Sequence, residues 1–186
     1  MVYDQVIEGL TVRMRAVEER DAEVTFKMRS NPEKSKYIHG ATGTVEDQRS
    51  FICKQRQIPG DYLFLVEDID GNPIGMKGVY NYDPQKNVVE TGRFIGFGTP
   101  VQNTEALYLS FDFAFDILKV DTIVMSALEK NTVMRGMQDR FGVQVTHEVY
   151  DEAFGCCSMH SVLSREAYAI SRPKAVALVE RFANRK

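Results

Sequence analysis

Residues 103–128 constrain the fold most. Along NTEALYLSFDFAFDILKV, Glu105, Tyr108, Asp112, Asp116 and Lys119 recur at three- and four-residue steps while almost every other position is apolar. The segment therefore reads as a helix with a narrow polar edge and a mostly buried circumference. It runs into DTIVMSAL, residues 121–128, an apolar run with little polarity, which marks a central strand covered on both faces.

The surrounding elements supply that cover. LTVRMRA (10–16) alternates apolar and polar residues as a half-buried strand does. EERDAEVTFKMRS reads as a helix ended by Asn31-Pro32. Thr44 and Asp47 open a second helix, with Phe51, Ile52 and Ile58 as its apolar positions and Pro59-Gly60 as its stop. YLFLVED and PIGMKGVY form two strands joined through DIDGN, and NVVETGRFIGF adds a third in which Gly92, Gly96 and Gly98 mark a bulge or a close approach. After the 121–128 strand come a short helix, NTVMRGMQDRF, a hairpin of VQVTHEVYD and CCSMHSVLS, and a terminal helix, PKAVALVERFANR. This order predicts an α+β domain with a mixed sheet.

Composition removes several function classes. At 186 residues and 44% apolar content, the chain is expected to form one domain with an ample core. A net charge of −3 and scattered basic residues argue against nucleic acid. The apolar runs fall short of a membrane span and MVYDQVIEGL has no leader pattern, so a soluble cytoplasmic protein is expected. Cys53, Cys156 and Cys157 provide neither a disulfide framework nor a C-x-x-C pair, and no metal is expected.

The element order, together with AEVTFKMRSNPEKSKYI, EDIDGNPIGMKGVY, VETGRFIGF, TEALYLSFDFAF and EKNTVMRGMQDRFG, resembles the GNAT acetyltransferase superfamily, in its RimJ/RimL-type branch, over roughly residues 9–165. The resemblance implies one GNAT-like domain across 1–186 with a C-terminal helix at about 172–184. Its sheet would be mostly antiparallel, with about seven strands and helices on both faces. It would splay between the fourth and fifth strands, here 88–97 and 121–127. The implied activity is transfer of an acetyl group from acetyl-CoA to a primary amine by direct attack on the thioester. The acceptor is left open between a protein N-terminus and a small amine such as an amino sugar. A catalytically silent module that binds a CoA ester or a protein partner is the alternative, and a homodimer is compatible with either.

In that family a loop of the form Q/R-x-x-G-x-G/A holds the pyrophosphate. Aligned through Thr104-Glu105-Ala106, its positions fall on Gly98–Asn103, where every fixed residue departs. Pro100 has no N–H, and Val101 does not suit positive φ. The amides of Gln102, Asn103 and Thr104 are the candidates for phosphate contact; an ordinary capped helix is the competing explanation. Glu105 complements the helix dipole but would repel a nearby anion.

Glu90 matches the glutamate of the family's E-x-G strand and is the candidate base, with desolvation to raise its pKa; a solvated surface carboxylate is the alternative. Backbone amides of a bulged Ile95-Gly96-Phe97 segment are the candidate oxyanion donors and cofactor contacts. Asn131 either contacts the cofactor arm or caps its helix. The family's proton-donating tyrosine, seven residues later, is replaced by Gln138, which leaves the acid unassigned. Arg29, Tyr37, His39, Tyr80, Asn81 and Tyr82 are candidates for the acceptor side. His147 and His160 are expected to be structural, and the methionines adaptable core.

Overall fold

The computed structural model describes residues 2–38, 40 and 42–184. Among them the strands are β1 (Ile7–Glu8), β2 (Val12–Ala16), β3 (Tyr62–Asp68), β4 (Pro73–Asp83), β5 (Val88–Gly96), β6 (Thr122–Leu128), β7 (Gln144–Asp151) and β8 (Cys156–Ser164). The helices are α1 (Ala22–Ser30), α2 (Pro32–Ser35), α3 (Val45–Gln55), α4 (Pro100–Asp112), α5 (Thr132–Arg140) and α6 (Arg165–Ala183). The strands form one sheet in the order β1-β2-β3-β4-β5-β6-β8-β7. Every neighbouring pair is antiparallel except β5 and β6, which run parallel. The strand count is eight rather than about seven, because the two residues of β1 pair with Arg13 and Met14.

Both faces of the sheet are covered. On one, Val79, Val89 and Ile123 pack with Leu107, Phe111, Phe113 and Phe115 of the α4 segment and with Tyr168 and Val179 of α6. On the other, Leu63, Leu65, Met76 and Ile95 meet Ala22 and Met28 of α1 and Ile52 of α3. The expectation of a strand buried on both sides at 121–128 is met on one face only: Ile123, Met125 and Ala127 are buried, whereas on the opposite face Thr122 and Val124 are half-buried and Ser126 is exposed.

Three helix boundaries differ from the sequence reading. Asn31-Pro32 ends α1 but also starts α2, because the Asn31 carboxamide accepts from the amides of Glu33 and Lys34. The long helix begins at Pro100 rather than Asn103. Thr99 and Gln102 form a reciprocal capping box, and proline suits the first helical position. The terminal helix starts at Arg165 rather than about 172, capped by Ser164, and passes through Pro173. The proline is accommodated because the turn before it is anchored elsewhere. Tyr168 donates to the Tyr108 carbonyl and Asp112, Ser171 to the Phe141 carbonyl, and Arg172 to both oxygens of Asp112. Ile58 lies beyond α3 and is exposed.

The polar edge read along the long helix is buried in its first part, at Glu105 and Tyr108, half-buried at Asp112 and exposed at Asp116 and Lys119. Glu105 is fully enclosed and accepts from the amides of Leu10 and Thr11 at 2.6 and 2.7 Å, from the Thr11 hydroxyl and from Tyr108. It thus fastens the β1–β2 connection to α4 and is spent on the scaffold rather than facing an anion. On β2 and β3, Arg15 bridges Asp21 and Glu67 while Arg13 also pairs with Glu67. Burial opposes the Asp21 charge, but the Arg15 guanidinium and the Glu18 amide hold its pKa below the usual value.

Candidate active site

The parallel pairing of β5 and β6 lasts three residues, Val88–Glu90 against Thr122–Val124. Beyond it β5 stays laddered to β4 up to Gly96, and β6 to β8 up to Leu128. The facing edges of residues 91–96 and 125–128 are therefore separated, and their backbone groups lack a ladder partner across the gap.

The shape of β5 adds to this. Met76 pairs with Ile95 and Gly78 with Gly92, so Arg93 and Phe94 together face Lys77 as a bulge. Arg93 has φ +51, an uncommon conformation for a residue with a Cβ. Its guanidinium pairs with Asp61 at 2.7 Å and lies 4.0 Å above the Tyr80 ring. The bulge expected at Ile95–Phe97 is thus at Arg93–Phe94. Phe97 lies past the strand, and its amide donates to the Ile74 carbonyl at 2.7 Å, so it is no free donor.

A cavity of about 350 Å³ opens on the α1/α3 side of the gap, walled by Arg29, Tyr37, Phe51, Tyr80, Leu128 and Phe154 among others. A smaller one of about 70 Å³ lies on the α4/α5 side, with Lys77, Phe111, Asn131 and Gln138 in its wall. The two share Thr91, Gly92, Arg93, Ser126 and Ala127, so they meet through the sheet. A third, of about 420 Å³, forms the outer mouth between Ile95, Gly96, Asn103 and the start of α5, rimmed by Lys34, Lys36 and Lys130.

The family model described as an acetyltransferase (GNAT) domain matches residues 11–144. The chain belongs to the GNAT acetyltransferase family. Solved structures of the same fold include a GCN5-related N-acetyltransferase from Brucella melitensis, with a TM-score of 0.81 at 16% identity over 95% of this chain and 86% of that one. A nucleotide-linked sugar GNAT, FdhC in its apo form, has a TM-score of 0.77 at 19% identity over 92% and 97%. Spermidine N-acetyltransferase from Vibrio cholerae, in complex with CoA and spermine, has a TM-score of 0.74 at 16% identity over 85% and 98%. No curated protein matches in sequence.

Within this GNAT fold, Glu90 occupies the last paired position before the strands part. Its carboxylate accepts from the Tyr80 hydroxyl and from the Asn81 amide, each at 2.9 Å. Burial, and then the adjacent Glu90 charge, push the Tyr80 phenol well above its usual pKa, so it remains a donor. The E-x-G spacing has a local cause: a Cβ on Gly92 would lie 2.5 Å from the Tyr80 hydroxyl, so only glycine lets that hydroxyl reach Glu90.

The remaining candidates divide. Arg29, Tyr37 and Tyr80 come together around the cavity on the α1/α3 side. Burial, with the Arg93 charge beside it, lowers the Arg29 pKa. Asn81 joins through Glu90, whereas Tyr82 turns away to the Leu118 carbonyl at 3.3 Å. His39 lies outside the described residues. His147 and His160 stack 4.7 Å apart in the terminal hairpin, away from these cavities.

On the mouth side, Ile95 and Gly96 line the opening and Asn103 packs over Gly96. Of the amides expected to hold a pyrophosphate, that of Gln102 already donates to Thr99 Oγ1 and that of Asn103 to the Thr99 carbonyl. The third, of Thr104, lies a full turn inside the helix, and the Thr104 hydroxyl bonds the Pro100 carbonyl. The earlier helix start therefore consumes the predicted cradle. Asn131 caps α5 by accepting from Met134, and it also lines the inner cavity and the mouth.

Sequence reasoning misses Lys77, Thr91 and Lys130. Lysine at 77 sits between Met76 and Val79 in a central strand, where such strands read as nearly continuous apolar runs; that interruption was the available signal. Nothing local in the sequence marks Lys130, which converges with Lys34 and Lys36 only through the fold.

Proposed function

We propose that this protein is an acetyl-CoA-dependent N-acetyltransferase acting on a primary amine, a small molecule or a peptide N-terminus, by direct attack on the thioester. The observation that carries the reading is the gap that opens immediately after Glu90 and connects a cavity on each side of the sheet. The separated strand edges suit the amide-bearing pantetheine arm, which can take the ladder position that β6 leaves. The lysines of the mouth suit the phosphates in place of the helix cradle. The cavity on the α1/α3 side receives the amine from the opposite face, with Glu90 at the junction to take its proton while Tyr80 and Asn81 fix the carboxylate.

The acceptor side bears on substrate class. Arg29 and Arg93 line it, with Asp61 paired to Arg93 and Asp151 on the far wall. Two guanidiniums in an aromatic cleft disfavour a polycation such as the spermine bound by the Vibrio cholerae relative. They favour an amine that carries no second positive charge, such as an amino sugar or a peptide end.

The test begins with thermal stability. Acetyl-CoA at 100 times its Kd is expected to stabilise the fold by about 2.7 kcal/mol. A panel of neutral amines, amino sugars, peptides and polyamines is then read by release of CoA thiol. Glu90→Gln should slow turnover by about 10²-fold or more while leaving stabilisation by acetyl-CoA in place. Stabilisation without thiol release from any amine would favour the silent binding module instead.

A further inference from the structure

The cavity on the α4/α5 side holds an arrangement that the scaffold does not need. Lys77, on β4 opposite the bulge, is 3% exposed, and its side chain enters this cavity. Its ammonium lies 5.8 Å from the centroid of Phe94 and 5.9 Å from that of Phe111. No hydrogen bond or ion pair is formed by it among the described residues. A buried cation faced only by two rings is expensive, and a fold that keeps one has left room for a negative partner.

A second observation points the same way. Thr91 Oγ1, in the gap itself, is likewise buried without a hydrogen-bond partner among the described residues. Gln138 is also buried and lines the same cavity. An ammonium, an unpaired hydroxyl and a carboxamide thus surround a space that opens into the splay between β5 and β6. The other titratable side chains around that space are Arg93, paired to Asp61, and Tyr37. The wall contributed by α4 is Leu107 and Phe111, that of α5 is Asn131, Met134 and Gln138, and that of β6 is Met125, Ser126 and Ala127. None of these carries a negative charge.

Resting on the acetyltransferase reading, we propose that Lys77 donates the proton that the CoA sulfur takes up as the thioester is cleaved. The acceptor nitrogen bonds to the carbonyl carbon and gives its proton to Glu90. The carbon–sulfur bond breaks with its electron pair remaining on sulfur, and the sulfur receives a proton from Lys77 Nζ. Exchange with solvent then returns a proton to Lys77 and removes one from Glu90. Gln138 has no proton to give, but its carboxamide and the Thr91 hydroxyl are placed to orient the departing sulfur. Burial lowers the Lys77 pKa to about 7, below the ~8.5 of a thiol, so transfer to the thiolate runs downhill, which an ordinary lysine near ~10.4 would not allow.

The experiment reads bound CoA before it reads turnover. Wild-type, Lys77→Met and Lys77→Arg proteins are saturated with CoA, with saturation judged by the rise in Tm, and thiolate absorbance in the ultraviolet is followed against pH. On Lys77→Arg, whose charge is permanent, bound thiol is expected to ionise below its free range of about 8.5, whereas on the wild type Lys77 gives up its proton first, so the sulfur stays protonated up to that range, as it does on Lys77→Met. With acetyl-CoA and an accepted amine, both variants should turn over about 10²-fold or more slowly, because arginine keeps the charge yet holds its proton. The wild-type rate should fall as pH rises through the Lys77 pKa, and this limb should be missing from Lys77→Met.

Stabilisation by CoA with the bound sulfur already ionised at about pH 7 on the wild type, where the proton then rests on Lys77, or with an unshifted thiol titration on Lys77→Arg, which puts residue 77 out of reach of the sulfur, overturns the proposal and leaves the acetyltransferase reading standing. So does an unchanged rate in Lys77→Met. Failure of CoA to stabilise the wild type overturns both. The wild-type and Lys77→Arg titrations decide the matter even if Lys77→Met does not fold.

Discussion

Glu105 and Lys77 are both charged and both almost wholly withdrawn from solvent, yet the fold treats them in opposite ways. Glu105, in the first turns of α4, accepts from two backbone amides and two hydroxyls, and the β1–β2 connection is built around it. Lys77, across the same layer, meets two aromatic faces and an open cavity. Where the molecule is scaffold, buried charge is satisfied; where the sheet parts, it is not. Such local violations of the satisfaction rule are expected at sites that await a ligand.

The comparison can be broken most directly at Glu105. Replacing it by alanine leaves the Leu10 and Thr11 amides without their acceptor and should cost about 3–5 kcal/mol in urea unfolding. A loss below about 1 kcal/mol would mean that the two residues do not differ as described.

Lys77→Met should act in the other direction, raising stability by about 1–4 kcal/mol near pH 6. The sign follows from linkage. Below the folded pKa of about 7 the amine is protonated in both states, and the fold carries the whole burial cost. Between that value and the unfolded ~10.4, the unfolded chain keeps a proton that the fold has released, so wild-type stability rises with pH. The advantage of methionine should therefore shrink as pH climbs above 7, and urea titrations across this range measure it. A gain that does not vary with pH would show that the lysine is already neutral or paired.

Thr91→Val should have the smallest effect. Removing a hydroxyl that bonds to nothing is expected to leave stability unchanged or raised by less than about 1 kcal/mol. A larger loss would mean that Thr91 has a partner in solution and belongs with the satisfied scaffold.

Much of the fold was legible because periodicity and capping are local. The Thr44–Asp47 box, the Asp70-Gly71 turn and the strand at 122–128 appear where alternation and punctuation place them. The start of α4 was legible too, in Thr99-Pro100-Val101-Gln102, but a reading of those positions as phosphate-loop slots competes with the capping box they form. Glu90 and the gap beside it follow from family resemblance joined to a short strand pattern. That Gly92 exists to admit the Tyr80 hydroxyl is visible only in three dimensions. The buried state of Glu105 escaped because its partners, Leu10 and Thr11, are nearly a hundred residues away. Lys130 escaped for the same reason, since long-range convergence leaves no periodic trace.

The short stitch between β5 and β6 has a mechanical consequence. Three rungs are all the sheet ladder that joins the β6–β8–β7 block to the five strands before it, and the remaining restraint comes from helices packed across the join. A guest chain lodged beyond those rungs would act as a rivet, so occupancy should slow amide exchange along 125–128 while leaving the β2–β4 panel as it was.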